Sequence, residues 1–565
     1  MSEQTDRIQT DVLVIGGGAA GLTAALAARK GGAGVVLAAK GSAGRSGNTP
    51  MAEGGIQACF HPADSPAKHA RDTLDAGHGL GDARLVEIFA ERAPGCVREL
   101  EAHGVRLRRQ EDGTYFQYVS AGTSEPRGLW IQGGGPGLSV PLLRAARDAG
   151  VGLLDDLMVT RLLVTGGEAA GACGINLRTG AFTVLEAGAV VLATGGNQVL
   201  YSLSDAALDA TGDGAALAWQ AGAELVDMEF EQFFPHSLVH PESLRGVIIP
   251  EEVYFPEFGG GALTDGDGAP FAHRYDPERK EFTTRDVLAR GILAEAAAGR
   301  GGPHGGVLID LRGCRRETLI EMIPALYRYL LANGVDVFAR PLEVAPSAHY
   351  QCGGVRIDAD AATTVPGLLA AGECAGGIDG ANRLGSNALA EAVVFGAIAG
   401  ERAATLALDH RRDPVPAQAG QERARIAEAL SRHRSPGLDV LEVKRELQDL
   451  MTARAGLVRS QGGLLEALGR IEEAAGALGR IRLRHLGARY NLELLEYLEL
   501  CNLMDNARMV ARAALARRES RGCHFRSDCP LQDDQAWRAN LVLSRDGDRM
   551  VLAARAAAAV SGGPR

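Results

Sequence analysis

Asp11-Val12-Leu13-Val14-Ile15-Gly16-Gly17-Gly18-Ala19-Ala20-Gly21-Leu22 is the stretch whose reading decides the fold. Asp11–Ile15 is a short apolar run, and Leu22–Arg29 continues as an Ala- and Leu-rich helix. Val35–Ala39 follows as a second β-like run, so the order strand, Gly turn, helix, strand predicts a βαβ unit. Gly16-x-Gly18-x-x-Gly21 stands where strand meets helix. In that place Gly16 permits the tight turn, Gly18 lets backbone approach a pyrophosphate, and Gly21 lets helix and strand pack closely. The helix start then offers N–H groups and positive dipole to phosphates. The alternative is a tight βα turn with no ligand. The second strand of a dinucleotide site usually ends in an acid for the ribose hydroxyl. Here it ends Ala38-Ala39-Lys40, which argues against NAD and leaves FAD open.

Further along, Ala189–Ala193 runs into Thr194-Gly195-Gly196, and Leu368–Ala371 runs into Gly372-Glu373. Three strands that each end in a Gly turn predict one sheet assembled from distant segments. Pro235–Pro346 changes character, mixing Pro, Gly and aromatic residues, and reads as an inserted domain. From about Ala417 to Arg518 apolar residues recur at three- and four-residue steps, as in an antiparallel helical bundle. Trp537–Leu552 reads as strand, turn, strand, with Asp546-Gly547 as the turn, and the tail Ala556–Arg565 is expected to fray.

The whole chain of 565 residues is long enough for three or four structural units and a large core. With 46% hydrophobic and 23% charged residues it is an ordinary globular composition, not a disordered one. The net charge of −11 and the lack of a dominant basic patch exclude a nucleic-acid-binding role. No apolar run reaches the length of a spanning helix, and the first ten residues carry no secretory h-region. Nine Cys without a CxxC pair fit reduced thiols in a cytoplasmic protein, and no metal-ligand spacing is evident.

A longer series of motifs follows in order: Glu53-Gly54-Gly55-Ile56, Ala193-Thr194-Gly195-Gly196, Thr211-Gly212-Asp213-Gly214 and Asp227-Met228-Glu229-Phe230. Then come Arg285-Asp286-Val287-Leu288-Ala289-Arg290, His349-Tyr350-x-x-Gly353-Gly354, Ala371-Gly372-Glu373, Gly380–Asn387 (GANRLGSN) and Arg518-Glu519-Ser520-Arg521-Gly522. Together they resemble the flavoprotein subunits of succinate dehydrogenase and fumarate reductase, a family that also contains L-aspartate oxidase. The resemblance runs from about Asp11 to Leu552. It implies an α/β fold with a Rossmann-like FAD-binding domain (1–235 and 346–408) interrupted by a capping domain (236–345). A helical bundle (409–530) and a C-terminal extension (531–565) follow.

The resemblance implies extended FAD held by Gly16, Gly18, Ala19, Gly21, Lys40, Asn48, Thr49, Gly54, Gly55, Ala193, Thr194, Gly195, Asp213, Glu373, Ser386, Ala388 and Leu389. The helix starting near Ser386 would aim its N-terminus at the flavin or pyrophosphate. Members that tether FAD do so through a His where this chain has Asn48, so FAD is expected to be non-covalent. Arg285 matches the family's proton-donating Arg, and His349 with Arg383 matches the pair that clamps a substrate carboxylate. Singly, each of the three also reads as an ordinary structural residue.

On the other side of the pocket the chain departs from the family. The family's Gln-Phe-His-Pro-Thr reads Gln232-Phe233-Phe234-Pro235-His236, and its Thr-Glu-x-x-Arg reads Pro250-Glu251-Glu252-Val253-Tyr254. Glu251 survives as the proton-relay acid, and His236 is the candidate to take over at the second substrate end. A substrate end less charged than in succinate is the other outcome. Three functions are consistent with these residues. The first is a FAD oxidoreductase acting at the α,β carbons of a carboxylic acid beside an iron–sulfur subunit, in the cytoplasm or held by that partner at the inner membrane face. The second is a free-standing oxidase like L-aspartate oxidase, and the third a flavin-carrying subunit without turnover. The extension after Pro530 resembles the succinate dehydrogenase branch.

Overall fold

In the computed structural model, Thr5–Ile15 is the strand around which the first sheet is laid. The structure describes residues 5–120, 122–254, 260–409, 416–432, 437–547 and 549–557, so most of the tail Ala556–Arg565 lies outside the described residues. Val12–Ile15 pairs in parallel with Val35–Ala38 on one side, and Thr5–Ile15 with Phe182–Leu192 on the other. Gly152–Leu154 extends the sheet past Val35–Ala38. Phe182–Leu192 is long enough for its free edge to serve two neighbours. Its first half pairs antiparallel with Glu168–Asn176, and its end, Val190–Leu192, pairs in parallel with Leu368–Ala370. The three strand ends expected to converge therefore do so in one seven-stranded sheet, completed by Leu157–Thr165.

The helix Ala19–Lys30 covers this sheet together with Asn387–Asp409. Their contact depends on small residues. A Cβ on Gly396 would sit 2.6 Å from the Ala20 carbonyl oxygen, and one on Gly400 would sit 2.2 Å from that of Ala24.

The chain divides into two units. The first comprises Met1–Leu200, Ala207–Glu231 and Tyr350–Arg565, and it contains the sheet above. It also contains the helices Pro416–Ser431, Val440–Ala455, Gln461–Ala477 and Leu492–Ala516. The helical region and the C-terminal extension lie in one unit with the nucleotide-binding sheet. The reason lies in the C-terminal hairpin. Ala539–Asp546 and Arg549–Ala556 pair with each other, and Ala539–Asp546 also pairs with Leu225–Val226. The hairpin thereby completes a five-stranded sheet with Gly354–Arg356 and Ala375–Gly376.

The second unit is Tyr201–Ala206 with Gln232–His349. It includes a six-residue piece from upstream. Ala348 N–H donates to the Leu203 carbonyl at 2.9 Å, which ties that piece in. The strands Glu231–Leu238, Leu342–Gln351, Val307–Asp310 and Ala262–Thr264 form its sheet. Arg285–Glu295, Arg316–Met322 and Pro324–Ala332 are its helices, over a core that includes Leu238, Phe271, Ile292, Ile309 and Leu330.

Candidate active site

The glycine turn is built by close approach. Gly16 has φ +117°, and a Cβ there would lie 2.0 Å from the Ala193 carbonyl oxygen. A Cβ on Gly21 would lie 1.9 Å from the Gly16 oxygen. Gly18 precedes the helix Ala19–Lys30 and offers no side-chain cap; the Ala19 N–H donates to Thr49 Oγ1 at 3.0 Å. Gly18 supplies no cap to the N–H groups that follow Ala19, and such a helix start is suited to receive phosphate oxygens. One cavity gathers Gly16, Lys40, Asn48, Ala193, Thr194, Gly195 and Asp213 on its lining, with Leu157, Met158 and Val159 as an apolar wall. The glycine cradle, open helix end and mixed lining fit a dinucleotide such as FAD.

Lys40 lines this cavity with its ammonium already committed. It pairs with Asp213 at 2.9 Å and Glu499 at 2.8 Å and donates to Thr211 Oγ1 at 2.7 Å and the Asp209 carbonyl at 2.9 Å. The two carboxylates outweigh burial and raise its pKa further. Asp213 also accepts from Asn502 Nδ2 at 2.9 Å, so the helix Leu492–Ala516 reaches this point through both Glu499 and Asn502.

Asn48 uses both ends of its amide. Nδ2 donates to Glu373 at 3.2 Å, and Oδ1 accepts from Ala207 N–H at 2.8 Å. Glu373 also accepts from Gln198 at 2.7 Å and from Gln351 N–H at 3.2 Å. Burial nevertheless lifts its carboxyl to about 7, because these donors are neutral. Gly54 has φ +107°, and the hydroxyls of Tyr118 and Ser386 crowd the place of a Cβ on Gly55. Ser386 itself holds φ +61°, a costly conformation for a non-glycine residue. It sits just before the helix that carries Ala388 and Leu389. Asn387 anchors that helix start by donating to Thr73 and pairing with His69, each at 3.0 Å.

Arg285, Glu251, His236 and His349 all belong to the second unit. Arg285 opens the helix Arg285–Glu295, and Glu251 lies in the 3₁₀ turn Glu251–Tyr254. The guanidinium donates to Glu251 at 2.9 and 3.4 Å and covers the Phe234 ring at 4.9 Å. Burial alone would lift the Glu251 carboxyl, but the charge and hydrogen bonds of Arg285 outweigh it and hold it below the usual range. His349 faces the same Phe234 ring at 5.3 Å and shares a 3.0 Å hydrogen bond through Nδ1 with Asp205. Asp205 also accepts from Ser347 at 2.5 Å. The carboxylate orients the ring through Nδ1.

His236 is fully buried, 5.1 Å from the Tyr254 ring. Burial, aided by the Arg285 charge, pushes it down to about 3 against the pull of Glu251. Neither of its nitrogens, nor the Tyr254 hydroxyl, has a hydrogen-bond partner among the described residues. The expected stand-in for a carboxylate-binding group is therefore a neutral imidazole, since a second cation beside Arg285 is too costly there. Arg383 lies in the first unit, buried, with its guanidinium 4.6 Å over the Tyr350 ring and Nη1 donating to the Leu384 carbonyl at 3.2 Å.

With this geometry in view, comparison with known proteins is decisive. A FAD binding domain model matches residues 11–389, and a fumarate reductase flavoprotein C-terminal model matches 444–558. The chain belongs to the fumarate reductase and succinate dehydrogenase flavoprotein family. It is 38% identical to a subunit of the fumarate reductase (CoM/CoB) of Methanothermobacter marburgensis, over 96% of this chain and 98% of that one. It is 35% identical to L-aspartate oxidase of Streptomyces coelicolor, over 96% and 92%. Among solved structures, Mycobacterium smegmatis Sdh1 in complex with UQ1 superposes with a TM-score of 0.89 at 34% identity, over 98% of this chain and 95% of that one. A quinol–fumarate reductase with menaquinol superposes at 0.92 and 29% identity, over 99% and 100%. Like its family, the chain is a FAD-dependent oxidoreductase. Among the described residues no helix is long and apolar enough to cross a membrane.

Sequence reading missed Asp205 as the partner of His349 and Tyr350 as the platform under Arg383. Asp205 sits in an unremarkable stretch 144 positions from His349, and no spacing rule reaches that far. Tyr350 belongs to a recognisable motif, but nothing in the motif shows which ring will lie beneath which guanidinium.

Proposed function

We propose that this flavoprotein moves a hydride and a proton, two electrons and two protons in all, on or off the C–C bond next to a carboxylate, as the flavin subunit of a fumarate-reductase-type enzyme. The observation that carries the reading is the Arg285–Glu251 pair at 2.9 Å beside an oriented His349. FAD, when bound, supplies the hydride chemistry. Arg285 gives or takes the proton at carbon. A guanidinium with a pKa above about 12 does so only if a neighbour restores its proton at once. Glu251 is in hydrogen-bond contact to do that. By the family resemblance Arg383 would hold the carboxylate by charge, and His349 would add a hydrogen bond from Nε2 only as an imidazolium, the form that Asp205 at Nδ1 favours. At the other substrate end, neutral His236 and Tyr254 favour a group less charged than a second carboxylate.

Asn48 supports non-covalent FAD, because an amide engaged at both ends offers no nucleophile for a flavin bond. Relatives named as subunits support a partner chain, and the family resemblance implies that it is an iron–sulfur subunit exchanging electrons with the flavin. Acid precipitation is expected to leave the yellow colour in the supernatant; colour in the pellet would refute non-covalent binding. Under anaerobic conditions the reduced protein is expected to be recoloured by fumarate or a related enoate. Bleaching by aspartate with peroxide release on aeration would instead identify an oxidase. Silence toward every mono- and dicarboxylate would overturn the reading.

A further inference from the structure

His236 and Tyr254 hold three buried hydrogen-bonding atoms that no described residue satisfies. His236 is 0% exposed and Tyr254 3%. Both ring nitrogens of His236 and the hydroxyl of Tyr254 lack a hydrogen-bond partner among the described residues, and the two rings lie 5.1 Å apart. Buried polar groups are normally paired, because an unmade bond leaves their loss of water uncompensated. The pair also borders the Arg285–Glu251 contact on two sides. His236 follows Phe234 by two positions in the strand Glu231–Leu238, which puts both on one face, and their rings meet edge-on at 5.8 Å. The same Phe234 ring meets the Arg285 guanidinium at 4.9 Å and the His349 ring at 5.3 Å. Tyr254 ends the 3₁₀ turn that Glu251 opens, and Glu251 pairs with Arg285 at 2.9 Å. Ile249 N–H donates to the His236 carbonyl at 2.9 Å, which holds the approach to that turn against the strand.

We infer that His236 and Tyr254 determine specificity at the far end of the substrate, and that this end is an uncharged group which both accepts and donates hydrogen bonds, as a carboxamide does. This rests on the reading above, in which Arg285 works at a C–C bond beside a carboxylate. A phenol donates one hydrogen bond, and an uncharged imidazole offers one donor and one acceptor. A carboxamide uses both kinds: its oxygen accepts the phenol proton, and its N–H donates to a ring nitrogen. A carboxylate only accepts, and here its charge would rest on uncharged donors in a buried place, while the neighbouring Arg285 is already engaged by Glu251. A methyl group would leave all three atoms unpaired. Burial holds His236 down at about 3 and raises the Tyr254 phenol well above its ordinary range, so both present themselves uncharged.

Fumarate, its monoamide fumaramate and crotonate form a matched panel: one enoate with a charged end, an uncharged polar end and a methyl end. With the FAD-loaded protein and a reduced viologen as electron donor, kcat/KM for fumaramate is expected to exceed that of each of the others about tenfold. That comparison needs no variant. Differences in intrinsic reactivity cancel when variants are set against the unmodified protein. Tyr254→Phe should cut the fumaramate-to-crotonate ratio of kcat/KM about tenfold, and His236→Leu should do the same. His236→Gln keeps a donor and an acceptor and should retain part of the ratio. Tyr254→Arg supplies a cation and should turn the preference toward fumarate. If the reduced protein reduces none of the three, the fumarate-reductase reading fails and this inference with it. If it reduces fumarate at least as well as fumaramate, or if Tyr254→Phe lowers fumaramate and crotonate alike, the specificity role of His236 and Tyr254 alone is overturned.

Discussion

Arg285 shows how much of this chemistry depends on the shape of one group. Its fork reaches Glu251 while its flat face covers Phe234, two contacts that an ammonium cannot make together. Arg285→Lys is expected to keep bound FAD, seen as an unchanged flavin spectrum, and to lose about 100-fold or more in kcat. Equal turnover would remove Arg285 from the proton path. Glu373 makes a pH prediction of its own. Its folded carboxyl titrates at about 7 against 4.5 for an ordinary glutamate, so the folded protein binds this proton more tightly than the unfolded chain. The stability it contributes is complete below about 4.5 and is lost as pH rises to 7. Glu373→Gln should flatten the fall in Tm over that window, measured by thermal unfolding. His236 and Tyr254 illustrate the limit of reading substitutions singly. The residue types were visible, but the neutral charge state of His236 follows only from its complete burial.

At the level of elements, the glycine turn is the most constrained piece. Gly16→Ala places a methyl 2.0 Å from the Ala193 oxygen at a φ of +117°. It is expected to cost more than about 3 kcal/mol and to release FAD, read together as a lowered Tm and a colourless preparation. Survival of both would mean that strand and helix are spaced more loosely than described. This element was legible because its cause is local. A strand, a turn that only glycine can make and a helix start occupy one continuous stretch, and sequence supplies every part. The start of the helix Asn387–Asp409 is different. Its anchors, Thr73 and His69, come from 314 and 318 positions away. The inserted unit shows the same division. Its sequence is marked off by a change of composition, whereas the upstream piece Tyr201–Ala206 joins it through long-range hydrogen bonds.

For the whole molecule, Arg517 is the knot. Fully buried, it pairs with Glu229 at 2.6 Å and Glu519 at 3.0 Å, and it donates to the carbonyls of Trp537 and Ala539. It thus binds the end of the long helix to the C-terminal hairpin and to the loop before the second unit's first strand. Removing one partner of such a network strands the other charges in the interior. Arg517→Met is expected to cost about 3–5 kcal/mol, measured as a lower urea midpoint. A loss under about 1 kcal/mol would show that the hairpin is held by its apolar face alone.

Amino-acid order alone established the βαβ unit, the class of cofactor, the inserted domain and the helical C-terminal part. Each rests on local periodicity, on a shift of composition or on a residue that only one backbone conformation accepts. Folding in three dimensions settled which acid orients His349, which ring supports Arg383 and where Lys40 spends its charge. Those are contacts between groups far apart in the chain, whose charge states depend on burial that no single stretch contains.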